Sequence, residues 1–330
     1  MQPNSLSQAR TENSSLPDVF VGDGRPLLTF TGLALVLSGG FALFLALSGQ
    51  FLPHDIQFLG MSAEQLCAWN ECRVARFMIH DRAAFGGALI AIGILYMWLA
   101  EFPLREKQEW AWWLFAVSGV CGFGSFLAYL GYGYLDTWHG IATLFLLPVF
   151  CAGVVLTARR VVVLTSPREL FSPYRAYPFW SRYTLGRAFL LGTTVGMVGA
   201  GLTILTVGTS IVFVPQDLEF MKLAPVELNL INARLIPLIA HDRAGFGGGI
   251  LTTGITAFFA LWCAKPSRHL WQALALAGIS GFGSAIWIHF WVGYTDFIHL
   301  APALLGATTF TLGIILCAKP MLYANKDRDV

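Results

Sequence analysis

Residues 80–101 read HDRAAFGGALIAIGILYMWLAE, and nothing between Arg82 and Glu101 carries a charge. A run of about 20 mostly apolar residues is what a helix needs to cross the hydrocarbon core of a bilayer. In lipid the backbone must satisfy its own hydrogen bonds, so such a run folds as a helix. Reading outward from 83–101, seven further stretches have the same character: 27–50, 110–132, 139–158, 187–214, 244–264, 270–292 and 298–318. None alternates apolar and polar residues as a membrane barrel strand does. The predicted fold is therefore all-α: a polytopic membrane protein with eight transmembrane helices. Composition agrees. Of 330 residues, 56% are hydrophobic and 12% charged, where ordinary globular chains carry about 25% charge. That is too little charge to coat a water-facing surface. A soluble enzyme, a disordered chain and a nucleic-acid binder are all disfavoured, and a net charge of +2 gives no polyanion signal. The lipid bilayer is the expected partner.

The opening motif recurs. HDRAAFGG at 80–87 returns as HDRAGFGG at 241–248, GFGS at 122–125 as GFGS at 281–284, GYLDTWH at 133–139 as GYTDFIH at 293–299, and FLPHDIQF at 51–58 as FVPQDLEF at 213–220. The offsets are 161, 159, 160 and 162. Colinear matches at nearly one offset predict an internal duplication. The expected units are a tail (1–26), a four-helix repeat (27–158), a basic linker (159–186), a second four-helix repeat (187–318) and a tail (319–330). An even number of spans per unit makes the two parallel repeats, related by an axis along the membrane normal.

Basic residues orient the chain. With the N-terminus inside, the cytoplasmic segments hold 15 of the 21 Lys and Arg residues, six of them between Arg159 and Arg187. The other face holds 6: Arg73, Arg76, Arg82, Lys222, Arg234 and Arg243. Both termini are expected in the cytoplasm of a cell-membrane protein.

The two copies share a polar set that this topology gathers at the outer face: Asp55, His80, Asp81, Arg82, Asp136 and His139 in one, Asp217, His241, Asp242, Arg243, Asp296 and His299 in the other. Ionisable residues near membrane depth are paired or functional, and both readings are open. In the structural one, Asp136 and Asp296 cap the fourth and eighth spans, Arg82 pairs with Asp136 and Arg243 with Asp296. In the functional one, His80 and His139, or His241 and His299, begin outer helix ends, meet across a bundle core and bind a cofactor, with Asp81, Asp136, Asp242 and Asp296 orienting the second ring nitrogen. The glycines of AFGG, GFGG and GFGS serve close helix packing, or make room for a flat cofactor. A short helix is expected in each long outer loop, where Ser62-x-x-Gln65 makes a capping box and Pro225 suits a first helical position.

Cys67 and Cys72 flank AWNE in the first outer loop, and the second loop has no counterpart. On an oxidising face they can form a disulfide, provided the helix between them is broken. Cys121, Cys151, Cys263 and Cys317 fall in apolar spans and read as packing residues.

Taken together, eight spans in two similar halves, histidines near the outer ends of the second, fourth, sixth and eighth spans (His80, His139, His241, His299) and the pair Cys67 and Cys72 resemble the haem A synthase family. His80-Asp81-Arg82 is similar to that family's His-Arg, with an aspartate inserted. The resemblance implies a haem-binding membrane oxidoreductase, one half holding a haem cofactor and the other a haem substrate, served by membrane electron carriers. The rival reading is a non-catalytic multi-pass protein, in transport or assembly, whose His-Asp-Arg clusters are structural.

Overall fold

The computed structural model describes residues 21–134, 137–175, 177–178 and 180–323; Asp136 and most of both expected tails lie outside them. Among the described residues, eight helices are long and apolar enough to cross a bilayer: Arg25–Leu47, Asn70–Glu101, Glu109–Tyr132, Thr137–Arg160, Arg182–Thr209, Leu235–Cys263, Arg268–Val292 and Phe297–Leu322. The chain is an all-α, multi-pass membrane protein.

The second and sixth spans are longer than expected. Their helices begin at Arg73 and Leu235, well before 83 and 244. His80 and His241, expected at helix starts, therefore sit about two turns inside. The reason is electrostatic: the His-Asp-Arg charges are neutralised by neighbours, so these residues enter the bundle as ordinary helix.

The second and sixth spans are also the most buried. They form the centre, where Phe85 lies over Gly245 and Gly249. The first span packs on the second through Gly32 against Gly93 and Gly39 against Gly86. The fifth packs on the sixth through Gly201 and Gly247. The third and seventh spans cross over. Ser284 of the seventh fills the notch at Gly87 of the second, and Ser125 of the third fills the notch at Gly248 of the sixth; a Cβ at either glycine would lie 1.7 Å from the serine Oγ. The duplicated FGG and GFGS motifs are thus two sides of one helix contact, made between halves. The first four spans and the last four interlock.

The loops on the face that carries the histidines each hold two short helices: Pro53–Leu59 and Ala63–Cys67, then Pro215–Met221 and Pro225–Ile231. They are cross-stapled. Arg73 donates to the Phe220 carbonyl at 3.1 Å, and Arg234 to the Phe58 carbonyl at 2.6 Å. Asn70 donates to the Met221 carbonyl and Asn232 to that of Leu59. Asn70, Glu71 and Cys72 take left-handed φ angles of 47°, 55° and 65°. This turn breaks the helix after Cys67, and a disulfide joins Cys67 to Cys72 across it. On the opposite face the linker is tied down by Glu109, which accepts from Thr165 and Ser166, and by Arg187, which donates to the Tyr174, Leu261 and Trp262 carbonyls.

Candidate metal centre

Two buried ion-pair networks frame the site. Arg243 bonds Asp217 at 2.6 Å, Asp81 at 3.2 Å and the Val212 carbonyl at 2.7 Å. Arg82 bonds Asp55 and, at 3.1 Å, Asp242. Each arginine thus takes one aspartate from its own half's loop helix and one from the other half's His-Asp-Arg. Arg243 therefore does not take Asp296, the partner expected of it; the pairing expected of Arg82 with Asp136 falls outside the described residues. Asp296 is exposed and instead caps the eighth span, accepting the His299 backbone N–H at 2.8 Å. Asp55 and Asp217 sit at the third position of a loop helix, where Asp55 accepts the Leu52 N–H and Asp217 the Val214 N–H. An arginine two turns inside its own helix faces these loop helices, which lie over the bundle.

The histidines also pair across halves. His80 does not meet His139, nor His241 His299. Instead the His80 and His289 Nε2 atoms face each other at 3.1 Å, with the His299 ring 5.7 Å from that of His80. The His139 and His241 Nε2 atoms face each other at 2.9 Å. The cause is the helix exchange: the second span packs on the seventh, and the sixth on the third.

One ring nitrogen from each of His80, His289 and His299 lies within 4.8 Å of the other two. Hydrogen-bond partners assign the tautomers. His80 Nδ1–H donates to Asp81 Oδ1 at 3.0 Å, and His289 Nδ1–H to the Ala285 carbonyl at 2.6 Å. Tyr294 donates its O–H to Asp217 at 2.9 Å, so its oxygen accepts from His299 Nδ1–H at 3.2 Å. With Nδ1 engaged in this way, the neutral form of each ring carries its lone pair on Nε2, free to ligate. The 3.1 Å between the His80 and His289 Nε2 atoms suits one proton shared between them or one cation bound to both. Carboxylate and backbone carbonyl partners on the far nitrogen are usual supports of metal-bound histidine, and His80 and His289 have one each.

The other cluster differs in one decisive position. An offset of 160 from His289 leads to Tyr129, whose hydroxyl bonds Thr143 and whose ring packs 4.8 Å from His139. A further imidazole, His54, enters from the loop with its ring 5.7 Å from His139. Six of the seven histidines thus fall in two groups.

Comparison with protein families, with curated proteins and with solved structures returns no match for this chain. The centre therefore rests on its own geometry. Sequence reasoning missed His289, His54, Tyr134 and Tyr294. His289 was detectable as an ionisable residue inside an apolar span, though it lacks a duplicate.

Below the three imidazoles lies a cavity of about 1150 Å³ between the second, fifth, sixth, seventh and eighth spans. Tyr294 is fully buried beside the centre. Burial first, and the Asp217 carboxylate second, push its phenol well above the ordinary tyrosine range. Tyr134 is raised in the same way by burial and by Asp55. Both stay protonated donors. A raised folded-state pKa gives stability that is complete below the unfolded value of about 10 and is lost as pH climbs above it. Tyr294→Phe is expected to cost about 1.5–3 kcal/mol at neutral pH, the range for a hydrogen bond to a charged group. Above pH 10 the variant's stability should fall less steeply than wild type, by up to about 1.4 kcal/mol per pH unit. Chemical unfolding in detergent at several pH values measures both.

Proposed function

We propose that this chain is a membrane metalloprotein of the oxidoreductase class in which His80, His289 and His299 bind one transition-metal ion. The observation that carries the reading is the grouping of three imidazoles, with one ring nitrogen of each within 4.8 Å of the other two and a hydrogen-bond partner on each Nδ1. Imidazole nitrogens suit zinc, copper, iron and nickel, and three of them leave an open position for substrate. The ion would be held without a porphyrin. Metal–nitrogen bonds of about 2.0–2.1 Å put ligands on opposite sides about 4 Å apart and adjacent ligands about 3 Å apart. The 3.1 Å between His80 and His289 matches adjacent ligands. Haem, which the resemblance to haem A synthase offers, is the second reading, and the volume of the cavity favours it. Iron would then use one or two of these imidazoles. The bias of basic residues supports a site facing outward with both termini in the cytoplasm.

Metal analysis and a visible spectrum of the protein, purified in detergent without chelators, test this. About one bound ion per chain and no Soret band are expected. His289→Phe, close in shape to Tyr129 of the other cluster, should fold and lose the ion. A Soret band abolished by that substitution would replace the non-haem ion by haem. A wild type that holds neither after incubation with metals and haem would overturn the proposal.

A further inference from the structure

We infer that the cavity beneath the three imidazoles holds a long-chain amphiphile, its polar end at the histidines and its hydrocarbon tail running down between the spans. This deepens the metal-site reading and rests on it for the position of the polar end.

The cavity is long, and polar at one end. Its lining runs from His80 to Leu95 on the second span and from His289 to Leu274 on the seventh. Fifteen helical residues make about 22 Å, most of the hydrocarbon thickness. Its charged and strongly polar lining sits at the histidine end, with Asp81, Arg243 and Gln216 beside the imidazoles. The threonines further down do not change this. Thr193, Thr203, Thr253 and Thr309 bond carbonyls four residues back on their own helices, so they offer methyl groups. A space this deep and apolar gives water no partners. A wholly polar substrate finds none either, and a wholly apolar one leaves the ion's open position unused.

The glycines that open the space belong to the second half. Gly192, Gly196 and Gly199 line it, and a Cβ at any of them would meet open space. At the offset of 162 that aligns Gly39 with Gly201, the first half has Phe30, Ala34 and Leu37 at these positions. Phe30 packs edge-on against Phe145 there. Phe30 and Leu37 thus stand on the first span where Gly192 and Gly199 hollow the fifth. The fifth and eighth spans meet near the linker face, through Gly186 with Gly313 and Thr193 with Thr309, and both line the cavity above that contact.

The test is photolabelling. Full-length protein in lipid nanodiscs is irradiated with a long-chain alcohol bearing a diazirine on its tail, labelled residues are mapped by mass spectrometry, and metal is measured on the same samples. Labels are expected on cavity residues such as Met197, Ala285 and Ala303. The double variant Gly192→Phe/Gly199→Leu restores the first-half residues; it should cut that labelling by about tenfold or more and leave bound metal unchanged. Gly40→Leu, on an exposed face of the first span with open space around it, should change neither. Labelling confined to bilayer-facing residues, or undiminished in the filled variant, would overturn the inference while metal content stood. Cavity labelling in a wild type that binds no metal would instead strike the metal reading, and with it the placement of the polar end.

Discussion

Arg243→Ala should lower the stability of the protein by about 3–5 kcal/mol, the usual cost of leaving a buried charge without its partner. Arg243 is the only cation bonded to both Asp81 and Asp217 among the described residues. Its guanidinium also lies 4.9 Å from the Phe77 ring centre. Without it, two carboxylates remain in an apolar bundle that cannot hydrate them. Arg243→Lys should recover only part of the loss, because one ammonium cannot reproduce the fork that reaches Asp81, Asp217 and the Val212 carbonyl together. Asp81→Asn/Asp217→Asn in the Arg243→Ala background should recover more, by removing the stranded charges. Thermal unfolding in detergent ranks the three. A fully stable Arg243→Ala would show that these carboxylates are protonated or hydrated, and the ion-pair account of the bundle would fail. The single alanine variant should also weaken metal binding, since Asp81 holds His80 in its tautomer.

The arginines show where the sequence was legible and where it was not. That Arg82 and Arg243 are paired follows from their position in apolar runs. Their partners do not, because pattern matching assigns neighbours within a copy and is blind to exchange between copies. The contacts Arg82–Asp242 and Arg243–Asp81 span 160 and 162 residues, and nothing local encodes such a distance. The histidines follow the same logic. His80, His139, His241 and His299 stand out by repetition, but repetition is a filter against asymmetry. His289 makes the three-imidazole group possible, and it has tyrosine at the matching position. The span boundaries erred for a related reason. Hydropathy counts His-Asp-Arg as the end of an apolar run, whereas paired charges are carried inside the helix. The glycines were more transparent: their value for close packing was legible, and only the identity of the opposing helix was missing.

That missing identity supports the second large effect. Gly248→Ala should destabilise the protein by about 1–3 kcal/mol, the cost of overpacking a tight contact. The new methyl would lie 1.7 Å from Ser125 Oγ and 2.2 Å from its Cβ, with the Ser125 Cα next at 3.6 Å. Everything that clashes is one side chain, from the third span in the other half. Ser125→Gly removes it and leaves ordinary contact distances. The double variant Gly248→Ala/Ser125→Gly should therefore regain most of the loss, within about 1 kcal/mol of wild type after the added glycine's helix penalty. The coupling energy of this cycle reports the contact between halves directly. If the halves were self-contained bundles, the two substitutions would act independently, and Ser125→Gly would only deepen the defect. Additive losses in unfolding measurements would thus refute the interlocked arrangement on which both histidine groups depend. At Gly87 rescue should be weaker: besides Ser284 Oγ, the Ser280 carbonyl oxygen lies 2.6 Å from an added Cβ, and a backbone atom cannot be removed by substitution.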